Sequence, residues 1–281
     1  MIFPLDINKY KQHVADTYNC RSLTYDNSNW HHHIAQRLVN YAQLSPDQYV
    51  LDIATGTGMV AIEAAQIVGT KGKVIGVDIS TGMLEQAKHK AKVLGLTNIE
   101  FQLADAEALE LPANSVDRVL CGSAFIWMSD LIGVLRLWHR FLKPNGSIGI
   151  HAFADTAFIG GIVAQKVAER HGVVFEMSTP TGSVEKCRNL FLSAGFEAIE
   201  VEVEQHGSYI SLEKAKAMWT GSSNPVPGQF PNPLSQLTSE NLVQVKAEFE
   251  AELEALQTNQ GIWNDITTFY VFAWKQAEQV L

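Results

Sequence analysis

The sequence predicts an α/β fold built on a doubly wound sheet that is mostly parallel and ends in an antiparallel strand. Strand-like and helix-like segments alternate with short connections between residues 46 and 153, which is typical of parallel strands joined by crossover helices. A glycine-containing turn, Ala54–Gly58, directly follows the first strand-like run, as in sheets that bind nucleotides. A last β-branched and aromatic run, Thr267–Lys275, follows a long insertion and predicts the closing strand.

The strands and helices of the first half can be placed in chain order. Residues 1–45 predict an N-terminal helical cap with scattered aromatic side chains. A turn is expected at Lys143–Gly146, where proline, asparagine and glycine occur together. The predicted strands are Tyr49–Ile53, Lys73–Asp78, Ile99–Leu103, Val116–Cys121 and Ser147–Phe153, and the predicted helices are 59–68, 81–94 and 131–142.

The second half departs from this alternation. Phe196–Glu204 alternates like a strand, and 205–262 contains a proline-rich loop and a long charged helix at about 239–257. We therefore expect a cofactor-binding domain of residues 46–204 and 263–281, interrupted by an inserted helical lid of residues 205–262. Residues 156–184, helical with loops, are a candidate addition to that lid.

Composition excludes several classes of protein. The 281 residues are 46% hydrophobic, which is enough to bury a large core. A net charge of −9 repels phosphate backbones, so no nucleic-acid partner is expected. Apolar runs are too short for a membrane span, which needs about 18 residues or more. Three scattered cysteines and no secretory segment favour a reducing, cytoplasmic setting.

The residues around the glycine turn favour a nucleoside ligand. Asp78 closes the second strand, where an acid can accept both ribose hydroxyls, although it could instead cap the next helix. Asp52 precedes the turn and would repel a pyrophosphate, yet it suits a ligand that carries an ammonium and a sulfonium. Asp105 and Ala106 follow the third strand, within reach of an adenine amino group. A nicotinamide cofactor would use the same glycines and the same acid, and stays an alternative.

Six segments in this order resemble the motifs of class I S-adenosylmethionine-dependent methyltransferases, in the branch that contains the ubiquinone/menaquinone and many small-molecule enzymes. Ala54 stands where the family frequently has a glycine. The resemblance implies a Rossmann-like domain, but it does not identify the acceptor, since one fold serves many acceptors. The segments are Val50–Gly58, Gly76–Ser80, Ala104–Glu107, Ser115–Val119, Phe141–Gly146 and Leu192–Phe196.

The resemblance also implies S-adenosylmethionine as cofactor, S-adenosylhomocysteine as product, and no metal. Asp78 would hold the ribose, Asp52 would lie beneath the amino group, and the Cys121 carbonyl would face the ammonium. Tyr18 would close over the methionine end, unless it is a surface aromatic, and Met83 could equally be helix packing. The implied cofactor-binding residues are Tyr18, Asp52, Ala54, Thr55, Gly56, Gly58, Asp78, Ile79, Met83, Asp105, Ala106 and Cys121.

Aromatic residues outside these motifs predict the acceptor. Phe125 and Trp127 follow the fourth strand and Trp219 lies in the insertion, so we expect a small, largely apolar acceptor under the lid: aromatic, quinone-like or isoprenoid-like. The alternative is that such residues form the lid's own core. His151, near the end of the fifth strand, is the candidate general base or else a structural histidine.

A run of three histidines lies near the N-terminus. His31–His33 are consecutive on a helix and point about 100° apart, so we expect a surface cluster and not a metal site. The sequence leaves open whether oxygen, nitrogen or carbon is methylated. It also leaves open a protein that binds S-adenosylmethionine without catalysis.

Overall fold

A seven-stranded sheet forms the centre of the computed structural model, which describes residues 7–174, 180–219, 221, 229 and 231–276. The strands, including two that lie outside this sheet, are β1 Tyr49–Ile53, β2 Lys73–Asp78, β3 Ile99–Leu103, β4 Val116–Cys121, β5 Leu142–Phe153, β6 Ala198–Glu204, β7 Gly207–Ile210, β8 Ile262–Asp265 and β9 Thr268–Trp274. The helices are α1 Lys9–Arg21, α2 Asn29–Ala42, α3 Met59–Val68, α4 Thr81–Val93, α5 Leu131–Phe141, α6 Ile159–Arg170, α7 Val184–Ser193, α8 Leu212–Lys216 and α9 Ser239–Ala255.

The strand order confirms the predicted doubly wound sheet. The order is β3-β2-β1-β4-β5-β9-β6, and β1 to β5 are parallel to one another. The last strand, β9, lies between β5 and β6 and is antiparallel to both. Because the chain reverses its winding direction between β1 and β4, a crevice opens at the carboxyl ends of these two strands.

The start of β5 differs from the prediction. Residues 143–146, predicted as a turn, are part of a strand that begins at Leu142. The pairing with β4 shifts register between Val116 and Arg118, and Asn145 has a φ of 63°. The glycine and asparagine therefore produce an irregular strand entry, and regular pairing begins only at Ser147.

Two apolar layers cover the sheet. One face packs against α5 and α7 around Trp138 and Phe191, both fully buried. The other face packs against α2 and α3, with Leu38 and Leu120 at its centre. Helix starts are determined locally, since Ser80 caps α4 and Asp130 caps α5 through side-chain oxygens.

The inserted segment has a core of its own. Val163 and Val167 of α6 pack with Val245 and Phe249 of α9, so α6 shares a core with the long helix of the insertion. A two-stranded antiparallel sheet, β7 with β8, joins the two ends of the insertion. Because β8 extends to Asp265, the insertion ends there and not at residue 262. Phe230 and most of the proline-rich loop lie outside the described residues.

The N-terminal helices lie across the carboxyl edge of the sheet. The side-chain oxygen Oδ1 of Asn19 in α1 accepts hydrogen bonds from Ser80 Oγ at 2.7 Å and from Gly82 N at 2.9 Å. The Tyr10 hydroxyl donates to the Trp127 carbonyl at 3.1 Å. These bonds fix α1 over the crevice. None of the described helices is both long and apolar enough to cross a membrane.

Candidate functional site

The turn after β1 has the backbone conformation that its glycines allow. Ala54, Gly56 and Gly58 have φ values of 52°, 56° and 83°, in the left-handed region. A Cβ added at Gly56 would meet no atom within 4 Å, whereas one at Gly58 would approach Ala87 to 3.0 Å. Gly56 is therefore needed for an open cleft, and Gly58 for close packing of α3 against the neighbouring elements.

Asp78 is held by the backbone at the edge of this cleft. Its Oδ2 accepts from Gly56 N and its Oδ1 from Ser80 N, both at 2.8 Å. Ser80, and not Asp78, caps α4. Burial raises the pKa of Asp78 to about 6. The carboxylate keeps lone pairs directed away from these amides, which suits the hydroxyl pair of a ribose.

Asp52 lies beneath the turn. It is only 1% exposed, and its Oδ2 accepts a 2.5 Å hydrogen bond from the Thr55 hydroxyl. Burial raises the pKa of Asp52 to about 7, and the nearby Asp78 adds to the rise. A cation bound above this carboxyl would favour its ionised form, which is the environment that an ammonium group requires.

A cleft of about 740 Å³ joins these residues to the N-terminal helix. Ile79 and Met83 supply apolar walls next to Asp78, as expected of an adenosine site. The residues present thus fit S-adenosylmethionine: an acid for the ribose, apolar side chains for the base, and open space over Gly56. Of the predicted site residues, the cleft is lined by Tyr18, Ala54, Gly56, Asp78, Ile79, Met83, Asp105, Ala106 and Trp127.

A second cavity of about 430 Å³ adjoins the first, and Asp52 and Thr55 line it. Five residues line both cavities, so the two meet at the carboxyl ends of β1 and β4. These shared residues are Tyr25, Ala54, Gly56, Gly122 and Ser123. The second cavity extends between α2 and α3, where its walls are mainly apolar.

Asp105 has a partner that the sequence did not reveal. Lys11 of α1 forms ion pairs with Asp105 Oδ2, at 2.6 Å, and with Glu107. Burial by itself would lower the pKa of Lys11. Hydrogen bonds to the two carboxylates have the larger effect together, so the pKa of Lys11 lies above its ordinary value. Glu107 Oε1 also accepts from the backbone amides of Ser129 and Asp130. Lys11 therefore joins α1 to the turn that follows β3.

Aromatic rings form part of the cleft wall. The Tyr18 ring lies edge-on to Tyr25 and to Trp127, each at a centroid distance of 6.2 Å. The Arg21 guanidinium lies over Tyr18 at 5.2 Å. His31 stacks on Tyr25 with ring centroids 4.2 Å apart. Tyr18 thus lies in the cofactor cleft, and His31 lines the second cavity instead of the expected surface cluster.

Five predicted site residues line neither cavity: Gly58, Cys121, Phe125, His151 and Trp219. Phe125 is fully buried against Trp138 and Phe191, so it belongs to the core, while Trp127 two residues later lines the cleft. Trp219 packs on Phe249 in the lid's core, 5.1 Å between centroids, which corrects its assignment as an acceptor contact. Gly58 and Cys121 line neither cavity. Burial raises the pKa of the Cys121 thiol, so it stays protonated.

His151 is buried behind Ser123. The imidazole is 1% exposed, its Nδ1 lies 2.8 Å from Ser123 Oγ, and its Nε2 has no hydrogen-bond partner. Burial lowers the pKa of His151 to about 3, so the ring is neutral at physiological pH. Ser123 has a φ of 59° and lines both cavities. Ser123, and not His151, therefore forms part of the cavity walls.

The sequence also matches known methyltransferases. The family described as a methyltransferase domain matches residues 50–146. Aklanonic acid methyltransferase DauC from Streptomyces is 34% identical over 156 residues, 55% of this chain and 70% of DauC. The ubiquinone/menaquinone biosynthesis C-methyltransferase UbiE of Coxiella burnetii is 33% identical over 117 residues, 41% of this chain and 47% of UbiE.

Solved structures agree on the fold. The YcgJ protein from Bacillus subtilis, 19% identical, aligns over 87% of this chain and 99% of its own with a TM-score of 0.58. A phosphoethanolamine N-methyltransferase from Haemonchus contortus, 18% identical, aligns over 96% of this chain and 61% of its own with a TM-score of 0.60. The chain belongs to the class I S-adenosylmethionine-dependent methyltransferases, which sets aside the nicotinamide alternative.

Proposed function

We propose that this enzyme transfers a methyl group to a small, largely apolar acceptor of aromatic or quinone-like type. The observation that carries the proposal is the aromatic wall of Tyr18, Tyr25 and Trp127 in the first cleft, of which Tyr25 also lines the second cavity. Planar aromatic rings arranged edge to face offer both faces and edges to a flat, apolar ligand. Val14 and Met128 extend the same wall without adding charge.

The names of the relatives support the same class. DauC is an aklanonic acid methyltransferase and UbiE a ubiquinone/menaquinone biosynthesis C-methyltransferase. One name refers to an organic acid and the other to quinone biosynthesis, so both support a small-molecule acceptor. The acceptor wall that we propose for this chain comes from α1, from the turn at Tyr25 and from the turn Phe125–Trp127.

The expected lid contact is replaced by the N-terminal helices. Within the described part of the chain, the walls of both cavities come from residues 10–128, and none comes from the insertion. The acceptor would therefore be enclosed by α1, the turn at Tyr25 and the start of α2. An acceptor bound against these apolar walls would displace water from the junction, which would favour its alignment with the methyl group.

S-adenosylmethionine, when bound, supplies a methyl group that is already electrophilic because it is attached to a sulfonium. The residues of the chain then have to orient the acceptor. The Ser123 hydroxyl, at the junction and bonded to the neutral His151, can accept or donate a hydrogen bond to a polar atom of the acceptor. His151 fixes the direction of that hydroxyl, and we assign it as a positioning residue for Ser123.

Trp127→Ala tests the acceptor wall with a panel of aromatic, quinone and isoprenoid compounds and labelled methyl donor. Loss of this apolar contact, about 1.5–3 kcal/mol, should raise the acceptor's KM about ten- to a hundred-fold and change cofactor affinity little. Trp263→Ala is the matched control, because Trp263 is half exposed in the β7–β8 sheet. Equal KM values for the two variants would contradict the proposal, as would turnover only with charged, polar acceptors.

Ser123→Ala and His151→Ala test the positioning role. If His151 acts through Ser123, the two variants and the double variant should lose turnover by a similar factor, because residues of one unit are not additive. A base acting by itself would cost about 10²–10⁴ in rate for His151→Ala and leave Ser123→Ala active. A drop below about fivefold in every variant, with intact folding, would return His151 to a structural role.

A further inference from the structure

Three side chains from two distant parts of the sequence meet near the start of α2. His33 lies on α2, Glu204 ends β6, and His206 follows it in the connection to β7. Their ligand atoms all lie within 4.8 Å of one another. Both histidines direct Nε2 at the same carboxylate oxygen, Glu204 Oε2, at 3.0 Å from His206 and 3.5 Å from His33.

These separations are close to those of ligands around a shared ion. With bonds of about 2.0–2.2 Å, tetrahedral geometry places neighbouring ligand atoms about 3.3–3.5 Å apart. A hydrogen-bonded pair would account for His206 and Glu204 by themselves. It leaves His33 unexplained, because Nε2 of His33 is buried and makes no hydrogen bond.

The other oxygen of the carboxylate is fixed by the protein. Glu204 Oε1 accepts from Arg37 and, at 2.9 Å, from the Tyr41 hydroxyl. These two contacts orient the carboxylate and leave Oε2 for the histidines. Such outer partners are typical of ligating carboxylates.

Trp30 encloses the same trio. Its ring stacks on His33 with centroids 5.3 Å apart and lies edge-on to His206 at 4.9 Å. His33 and His206 also lie edge-on to each other, at 5.3 Å. The rings therefore restrict each imidazole, so less rotamer freedom would be lost when an ion binds.

We propose that His33, Glu204 and His206 bind a divalent transition metal ion of the zinc type. Two imidazoles and one carboxylate suit zinc or cobalt, whereas magnesium and calcium prefer oxygen ligands. The Arg37 charge offsets that of Glu204, so the two imidazoles must supply most of the affinity. Three consecutive histidines on a helix still cannot share one ion. In the folded chain only His33 of that run takes part, together with Glu204 and His206 from a distant part of the sequence.

The ion would join the N-terminal cap to the end of the sheet. The α2 helix that carries His33 also carries Ile34 and Ala35, which line the second cavity. Fixing α2 against the β6–β7 connection would hold that wall in place. The site lies outside both cavities, so the role that we infer is structural and separate from methyl transfer.

The test is titration of the untagged protein, freed of metal by chelator, with Zn²⁺ by calorimetry and with Co²⁺ by visible absorption. We expect one ion per chain and a higher unfolding temperature with Zn²⁺. His33→Ala and His206→Ala should weaken binding more than about 100-fold, and Tyr41→Phe about tenfold. His32→Ala is the matched control, because His32 is exposed in the same histidine run and is not part of the trio.

Normal binding by His32→Ala together with loss in His33→Ala and His206→Ala would support the site. S-adenosylmethionine binding by each variant verifies that it is folded, and Glu204→Gln gives a second route if an alanine variant is unstable. Three results would overturn the proposal. The wild type could bind no metal ion, all variants could still bind one ion per chain, or His32→Ala could lose metal binding as much as His33→Ala and His206→Ala do.

Discussion

Replacing Asp78 with alanine would test the ribose assignment most directly. The carboxylate accepts from Gly56 N and Ser80 N at 2.8 Å each, and its remaining lone pairs face the cleft. Each hydrogen bond between a ribose hydroxyl and this charged group is worth about 1.5–3 kcal/mol. We expect the Kd for S-adenosylmethionine, measured by calorimetry, to rise at least about ten- to a hundred-fold in Asp78→Ala.

A matched control separates this loss from general destabilisation. Asp117 also accepts from a backbone amide, Tyr49 N at 2.8 Å, and from Lys143 Nζ, but it lies at the amino end of β4. Asp117→Ala should leave the Kd within about twofold. Since the pKa of Asp78 in the free protein is about 6, wild-type affinity should also fall as the pH drops below that value. A folded Asp78→Ala variant with wild-type affinity would refute the ribose assignment.

Two further predictions concern the turn and the carboxyl beneath it. Gly56→Val should abolish cofactor binding because the valine side chain would enter the cleft. Gly95→Val is the control: Gly95 has φ +68° and equally open space, so this variant should bear a similar backbone strain and bind the cofactor normally. Equal cofactor binding by the two variants would contradict the cleft geometry. Asp52→Asn should raise the free energy of unfolding of the cofactor-free protein at pH 8. The pKa of Asp52 rises from 3.8 to about 7 on folding, so ionisation of this buried carboxyl lowers stability as pH climbs between those values, by at most about 4 kcal/mol. Urea unfolding should show no gain near pH 4, and a gain that is independent of pH would show that the burial argument is wrong.

Local patterns were sufficient for most of the cofactor site. The strand Tyr49–Ile53, the turn at Gly56 and the acid at Asp78 are each encoded within a few residues, and parallel strands bring their carboxyl ends to one edge. The same is true of β2, β3 and β4, whose bounds match the predicted ones. Backbone conformation and strand burial depend on neighbouring residues, so a short stretch of sequence carries the information.

The acceptor side required the tertiary structure. Phe125 and Trp127 are two residues apart in one short 3₁₀ turn, yet the turn directs the first into the core and the second into the cleft. Hydrophobicity by itself cannot show which of the two side chains is buried in the core and which lines the cleft. Ser123 carried no sequence signal at all, because a lone serine gains meaning only from the buried His151 that lies 2.8 Å away.

By itself, the sequence determined the doubly wound sheet and placed Asp78 and the glycine turn at one cleft, because those features arise from periodicity and from motifs of adjacent residues. Only the tertiary structure decided which cap residues reach them: Lys11 beside Asp105, and His33 beside Glu204 and His206. These pairs join segments separated by 94 and more than 160 residues. Their meeting depends on how whole helices pack across the sheet, and no local pattern records that packing.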